Sequence, residues 1–339
     1  MPLATNSTLL LTGATGFLGG ALAKALLDSG FAPARLRLLV RDPARAERMG
    51  LPGEALCRGD LGDPDGAASL ARAVEGVDVA VHLAGSLKAF GSQGYEAVNV
   101  DGTRRLYAAM RDVAPHAFVV HVSSLAAAGP SVDGGGSAAS PDRCRPISAY
   151  GSSKLRGEME LLRAGLAHTI LRPPVVYGPG DGATRLLFQQ ATAPLVVVPR
   201  RAAPISVIHA DDVVAALLAA IERRVAGAVL PLDGPERTDT HAFSRAIAEA
   251  CGRRARLVPV PIALAACAAV ASDLVARLRR RPSYFNRDKV REIGAPGWVA
   301  DGEPVRAALG FAPRIGLSEG LAAVARAEGF ARRVTSATA

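Results

Sequence analysis

The first two-thirds of the chain alternates short, unbroken apolar runs with longer segments in which apolar residues recur at helical spacing. Leu9-Leu10-Leu11, Arg35 to Val40, Glu54 to Arg58, Val77 to Leu83 and Phe118 to Val122 read as strands. Their continuous apolar character predicts burial on both faces. Between them, Phe17 to Ser29, Pro64 to Val74 and Tyr95 to Val113 read as helices. Five strands alternating with helices predict an α/β fold with a parallel doubly wound sheet. Beyond Gly178 the pattern becomes mixed. A helix (Ala183 to Ala193), a strand (Leu195 to Val198), a strand ending at Ile208, a helix (Val213 to Ile221), a strand (Ala228 to Leu232) and a last helix (Leu317 to Phe330) follow without a linker between them.

Two stretches fit neither template. Gly129 to Ile147 is rich in Gly, Ser, Pro and Asp and too long for a simple connection, so it either covers a ligand or is mobile. Leu257 to Ser272 is almost wholly apolar, entered through Pro259 and Pro261 and followed by Arg277, Arg279, Arg280 and Arg281. It is too short and too interrupted to span a hydrocarbon layer of roughly 30 Å. A helix lying in a membrane surface, the wall of a lipid-sized pocket, or an ordinary core helix each suit that composition.

The turn after the first strand carries candidate chemistry. In Thr12-Gly13-Ala14-Thr15-Gly16-Phe17-Leu18-Gly19, Gly13 is free to take a positive φ, Gly16 lets a pyrophosphate approach bare backbone, and Gly19 lets the helix pack closely on its strand. The helix start then points its free N–H groups at that pyrophosphate, which makes a dinucleotide site. An ordinary strand-to-helix turn imitates the glycine spacing, so the context decides. At the end of the second strand Arg41 and Asp42 are neighbours on extended backbone, and only one of them faces the ribose. Arg41, with Arg45 in support, favours a 2′-phosphate and therefore NADP(H), with NAD(H) as the alternative. Asp60-Leu61 ends the third strand, where an acid can bond the adenine amino group, and Leu83-Ala84-Gly85 offers small residues against which the cofactor lies flat.

Composition narrows the partners. A chain of 339 residues with 49% hydrophobic and 4% aromatic residues is long enough for a large α/β core. The net charge of +9 raises nucleic acid or an anionic membrane. The arginine clusters lack interleaved aromatics that would stack bases, so nucleic acid is not expected, and a membrane surface or a merely solvated basic face remains. Cys57, Cys144, Cys251 and Cys267 are scattered without metal-ligand or paired spacing, which predicts reduced thiols and no metal. The first strand begins within eight residues of the N-terminus, leaving no room for an export signal. A cytoplasmic protein, peripheral on the inner face of the membrane if residues 257–281 touch it, is the expectation.

Tyr150 and Lys154 stand four residues apart and share a helix face. A phenol is a poor acid or base near neutrality, and an ammonium one turn away moves its pKa toward the working range. Together with Ser123-Ser124 at the end of the fifth strand, Asn99-Val100-Asp101-Gly102-Thr103, Leu171-Arg172-Pro173-Pro174-Val175-Val176-Tyr177-Gly178-Pro179 and His209-Ala210-Asp211-Asp212-Val213, these residues follow a known order. Over roughly residues 7 to 221 the chain resembles an extended short-chain dehydrogenase/reductase of the NAD(P)-dependent epimerase/dehydratase superfamily, in the 3β-hydroxysteroid dehydrogenase and lipid ketone reductase branch.

The resemblance implies a Rossmann-type doubly wound sheet over residues 1–175 with a smaller mixed substrate-binding region over 176–331, the helix from 209 to 221 packing back on the first part, and a flexible tail at 332–339. It implies that Tyr150 exchanges a proton with a substrate oxygen, that Lys154 holds the cofactor ribose and lowers the tyrosine pKa, and that Ser124, rather than Ser123, orients the carbonyl. Cofactor contacts are then expected from Thr12, Gly13, Thr15, Gly16, Phe17, Leu18, Arg41, Asp60, Leu61, Leu83, Ala84, Gly85, Asn99, Ser123, Tyr150 and Lys154, with Pro173 and Val175 bordering the nicotinamide. Asn99 is expected as a helix-start residue rather than a proton relay. His209, Asp211 and Asp212 are expected to cap and pack an apolar helix. The family also dimerises through helices near 95–113 and 149–165.

Departures from the family pattern bear on the substrate. Leu125-Ala126-Ala127 follows Ser124 where dehydratases carry an Asp-Glu pair, and Pro204 to Ile208 lacks the arginine with which sugar-nucleotide enzymes grip a diphosphate. An oxidoreductase interconverting a ketone and a secondary alcohol on a lipophilic substrate, a 3-oxo sphingolipid or ceramide or a 3-oxo sterol, is therefore expected. An NDP-sugar 4-epimerase with tightly bound NAD and a non-catalytic nucleotide-binding subunit are the alternatives.

Overall fold

The structure is a computed structural model that describes residues 7–331; the tail at 332–339 lies outside the described residues. β1 (Leu9–Thr12) turns into α1 (Phe17–Asp28), and the chain continues through β2 (Leu36–Val40), α2 (Pro43–Arg48), β3 (Leu56–Arg58), α3 (Ala67–Val74) and β4 (Val79–His82). α4 (Gly91–Glu96), a π-helical turn (Ala97–Gly102) and α5 (Thr103–Val113) then lead to β5 (Phe118–Val122), the single turn α6 (Leu125–Ala128) and α7 (Ala149–Ala164). β6 (His168–Arg172), β7 (Val175–Tyr177), α8 (Gly182–Ala191), β8 (Leu195–Pro199), β9 (Pro204–His209), α9 (Ala210–Arg223) and β10 (Ala228–Pro231) follow. The C-terminal part holds β11 (Arg237–Asp239), α10 (Thr240–Ala250), β12 (Arg256–Val260), α11 (Ile262–Leu278), α12 (Arg287–Ile293), α13 (Glu303–Leu309) and α14 (Leu317–Ala327).

Seven strands form one parallel sheet in the order β10-β6-β5-β4-β1-β2-β3. The order runs outward from β1 in both directions, so helices leave the carboxyl ends of β1 and β4 on opposite faces and a crevice opens between them. α1 and α9 cover one face, where Leu22 and Leu26 join Val213 and Leu217 in the core, while α3, α5 and α7 cover the other. The strands are buried on both faces, as their unbroken apolar runs require. A smaller mixed sheet joins β7 parallel and β11 antiparallel to β9, and β8 pairs in parallel with β12.

Two expectations change. The helix expected to begin at Tyr95 begins at Gly91, and Asn99 sits in the π-helical turn within it rather than at a start. The side chain of Asn99 is held on two sides, and Gly102 passes so near Leu61 that a Cβ there would come within 2.9 Å of the Leu61 carbonyl oxygen. The helix widens by one residue where these contacts fix it. The long segment 129–147 is tied down along its length: Ser131 pairs with the backbone of Gly297 and Val299, and Arg145 with Ala128. These bonds hold the segment near both of its ends.

Candidate active site

At the crevice, Gly13 has φ +78°, and a Cβ there would meet the Ala84 backbone nitrogen at 2.8 Å. Glycine at 13 is thus demanded by both conformation and space. A Cβ at Gly19 would lie 2.1 Å from the Gly13 carbonyl oxygen, which is the close helix packing its spacing predicts. Gly16 is exposed and opens α1 without a side-chain cap, so the first N–H groups of the helix are left for an anion. The backbone therefore fits a pyrophosphate.

The remaining predicted cofactor residues divide. Phe17 packs beside Gly178, and Leu18 leans on the core. The Thr12 hydroxyl is buried, bonds the Nδ1 of His82 at 2.7 Å and accepts the Ala84 N–H at 3.1 Å, so it fastens the two strand ends together and only its backbone fronts the crevice. Thr15 is half-buried beside them. Asp42 caps α2 by accepting the Arg45 N–H at 3.0 Å, and Arg41 is exposed at the end of β2, its guanidinium in no ion pair among the described residues. Asp60 accepts the Gly62 N–H at 2.8 Å in a local turn, and Leu61 is buried with its carbonyl bonded by Arg105. Leu83 and Ala84 pack against opposite cores, and Gly85 lies where a Cβ would be 3.2 Å from Asn99 Oδ1 and 3.7 Å from Lys154 Nζ. The missing side chain there keeps open a cradle in front of both polar groups.

The proposed catalytic residues come together at the ends of β5 and α7. Ser148 caps α7 by accepting the Gly151 N–H at 2.9 Å, so Tyr150 stands in the first turn and Lys154 one turn on. Ser124 caps α6 by accepting the Ala126 N–H at 3.2 Å, and its hydroxyl favours the ionised form of the Tyr150 phenol against the effect of burial. Ser123 turns the other way and donates its hydroxyl to Glu158. The two adjacent serines on extended backbone thus separate, one to the crevice and one to the interior. The Lys154 ammonium donates to the Val122 carbonyl at 2.6 Å, and burial pulls its pKa down to about 8. Burial pushes the Tyr150 phenol well above its ordinary value, opposed by the Ser124 hydrogen bond. The Lys154 ammonium is turned to the Val122 carbonyl at the strand end. Burial thus favours the neutral form of the Tyr150 phenol.

Sequence reasoning missed what lies beneath. Glu158, one turn beyond Lys154, and Arg172, in β6, are both fully buried and form a two-pronged ion pair with bonds of 2.9 and 2.6 Å. Arg172 also donates to the carbonyls of Ser137 and Ala139 and to the Cys144 Sγ, pinning the 129–147 cover to the sheet. His82 and His121 pair across β4 and β5, and burial with the nearby Lys154 cation holds His82 down at about 3 and His121 well below its usual range. His82 bridges Thr12 and Thr103, while Tyr107 bonds the Nδ1 of His121 at 2.6 Å. Asn99 accepts the Ser86 N–H at 2.7 Å and donates to the Ser153 Oγ at 2.9 Å, tying the cradle to α7. The only sequence signal for the ion pair was a glutamate four residues beyond the lysine.

On the substrate side, Asp288 of α12 accepts the N–H groups of Ala149 and Tyr150 at 2.7 and 2.9 Å, and Glu292 accepts the Ser148 hydroxyl at 2.7 Å. α12 is thereby bolted to the start of the catalytic helix. An open groove of about 510 Å³ runs between α11 and α12 beside this junction, lined by Ile147, Ile262, Ala263, Ala266 and Val290, with Arg287 and Arg291 at its edge. Pro173 gives its carbonyl to the Leu125 N–H, and Val175 is 39% exposed in β7. His209 caps α9, and Asp212 accepts the N–H groups of Arg314 and Ile315, each at 3.0 Å.

Comparison with known proteins agrees with this geometry. Residues 9–230 match the model of the NAD dependent epimerase/dehydratase family. The chain is 35% identical to a ceramide reductase of Caulobacter vibrioides over 315 residues, 91% of this chain and 90% of that protein. It is 27% identical to a 2-alkyl-3-oxoalkanoate reductase of Stenotrophomonas maltophilia, over 92% and 97% of the two chains. Among solved structures, MoeE5 in complex with UDP-glucose and NAD superposes with a TM-score of 0.71 at 25% identity, over 95% of this chain and 99% of that one. With its glycine turn and its Ser124, Tyr150 and Lys154 in the family's order, the chain belongs to the NAD dependent epimerase/dehydratase family, the extended short-chain dehydrogenases/reductases.

Proposed function

We propose that this nicotinamide-dependent oxidoreductase uses NADPH to reduce a ketone on a long-chain lipid, an oxidised ceramide or a 3-oxo sterol, to a secondary alcohol. The observation that carries this is the apolar groove between α11 and α12, whose lining includes Ile147, the residue before the Ser148 cap of the Tyr150 helix. A hydrocarbon chain in that groove would lie beside the start of the helix that carries Tyr150. The relatives named as a ceramide reductase and a 2-alkyl-3-oxoalkanoate reductase support a reductase acting on a lipid-like substrate.

When bound, the nicotinamide supplies the hydride. The chain's own residues do the rest. Ser124 orients the carbonyl, and the neutral Tyr150 phenol donates its proton to the oxygen as negative charge develops there. Lys154, with a pKa near neutrality, is the group placed to restore that proton, and its proximity to Gly85 and Asn99 suits a ribose hydroxyl. For the cofactor, the use of Asp42 as a helix cap supports Arg41 as the group that meets a 2′-phosphate. Behind Ser124, Leu125, Ala126 and Ala127 are buried and apolar, which supports simple reduction over acid-base elimination.

The likeness to MoeE5, which was solved with UDP-glucose, keeps one second reading, an NDP-sugar 4-epimerase. One experiment separates the two: oxidation of NADPH and NADH by purified protein in mild detergent, with a long-chain 3-oxo sphingolipid, a 3-oxosterol and a UDP-4-ketosugar. Oxidation of NADPH with a lipid and none with the sugar is expected. In the same assay Arg41→Asp should weaken NADPH by about tenfold or more in KM and leave NADH little changed. Turnover of the sugar alone would overturn the proposal.

A further inference from the structure

α11 packs the wrong way round for a core helix. Of its 17 residues only Ala269 and Ala276 are buried. At about 100° per residue these two lie on one side of the helix with Ser272, while Leu264, Val270, Ala271, Leu274 and Leu278 lie on the other. Leu264 and Leu274 are each 61% exposed and Leu278 is 77% exposed. The helix rests on the protein by its alanines and turns its leucines outward. At 1.5 Å per residue this apolar stripe runs for roughly 25 Å.

Charge accompanies it. Arg277, Arg279, Arg280 and Arg281 at the end of α11 are all exposed, and none forms an ion pair among the described residues. Arg280 has φ +51°, in the left-handed region, where its N–H bonds the Arg277 carbonyl and the Arg281 N–H bonds that of Ala276. That closure is the one glycine ordinarily makes, so an arginine there carries backbone strain that glycine would relieve. Stability does not explain a cation at this position. Among the described residues no helix is long and apolar enough to cross a membrane.

We propose that α11 is a docking surface for an anionic lipid bilayer, lying in the plane of the membrane with its leucine stripe among the acyl chains and Arg277 to Arg281 on the phosphates. Length, an outward apolar stripe and a flanking basic cluster are what interfacial binding requires. A second copy of the chain could cover the leucines, but with a net charge of +9 it brings like charge on balance to the arginines. An anionic bilayer satisfies both. The inference rests on this surface alone and stands whether or not the substrate is a lipid.

The test is co-sedimentation of the full chain, without cofactor or substrate, with vesicles of phosphatidylcholine alone or mixed with phosphatidylglycerol. Binding to the mixed vesicles, weakened by salt, is expected. Arg279→Ser with Arg280→Gly should weaken it about fivefold for each charge removed. Leu274→Gln with Leu278→Gln should weaken it by about a hundredfold. Both variants should keep wild-type circular dichroism and wild-type NADPH oxidation with a short, water-soluble ketone. No binding to mixed vesicles, binding indifferent to both pairs of substitutions, or a concentration-dependent dimer that Leu274→Gln dissolves would each overturn the proposal.

Discussion

α1 and α11 are both rich in alanine and leucine, and the protein treats them in opposite ways. α1 buries Gly19, Leu22, Ala23 and Leu26 against the central sheet and α9, and its charged Lys24 and Asp28 pair in solvent. α11 buries two alanines and exposes its leucines. The difference lies not in composition but in what each helix is attached to. α1 follows a strand at the centre of a seven-stranded sheet, where covering the sheet face removes apolar area from water on both sides. α11 follows the two-stranded pair of β8 and β12, at the margin of the fold, and packs chiefly on the short α12. Among the described residues no second layer receives its outer face. An apolar stripe therefore announces that something covers it, and the topology decides whether the protein itself does.

The same division separates chemistry from docking, and the largest expected effect tests it. Tyr150→Phe should lower kcat by about a thousandfold, because no other hydroxyl replaces the proton donor, while cofactor binding and vesicle binding remain. Near-wild-type turnover would remove Tyr150 from the mechanism. On the interior side, Glu158→Gln leaves the Arg172 guanidinium buried without its counter-charge and should cost about 3 to 5 kcal/mol in urea denaturation. A cost near that of a surface substitution would show that the carbonyls of Ser137 and Ala139 alone hold Arg172.

The comparison itself is sharpened by one truncation in each helix. Leu26→Ala in α1 should destabilise by about 2 to 5 kcal/mol, since it empties a filled core site. Leu274→Ala in α11 should change stability by less than about 0.5 kcal/mol, since it removes a side chain already in water. Equal losses from the two would mean that α11 is covered in solution.

The smallest effect is one of pH. Lys154 has its folded pKa lowered to about 8 from 10.5, mainly by burial, so between those values the unfolded chain binds more protons than the folded one. Its contribution to the stability of the cofactor-free protein should therefore rise as pH goes from 8 to 10.5. Lys154→Met should flatten that rise in thermal melts, and parallel curves for the two proteins would show that the lysine is not desolvated.

Much of the fold and of the site was legible in the sequence. Runs such as Leu9 to Leu11 and Phe118 to Val122 have one physical solution, burial on both faces of a parallel sheet, and the strands lie where those runs predict. The glycines at 13 and 19 were legible because only glycine tolerates that φ and that proximity. Tyr150 and Lys154 were legible because their spacing is fixed by the helix itself.

What stayed hidden depends on contacts between residues far apart in the chain. Glu158 meets Arg172 and the 129–147 cover, Asn99 meets Ser86 and Ser153, and Asp288 meets the start of α7 across 138 positions. No local period records such meetings, because a side-chain hydrogen bond depends on direction and distance that only the packed chain sets. The sequence by itself determined the sheet, the glycine turn and the placing of Tyr150 and Lys154 one helical turn apart, since each follows from backbone geometry within a few residues. Only the tertiary structure decided that Glu158 and Arg172 meet in the interior, that burial favours the neutral phenol of Tyr150, and that α11 shows its leucines to the outside. Each of these is a matter of which side faces water, and that is settled by the neighbours a residue has, not by the residue.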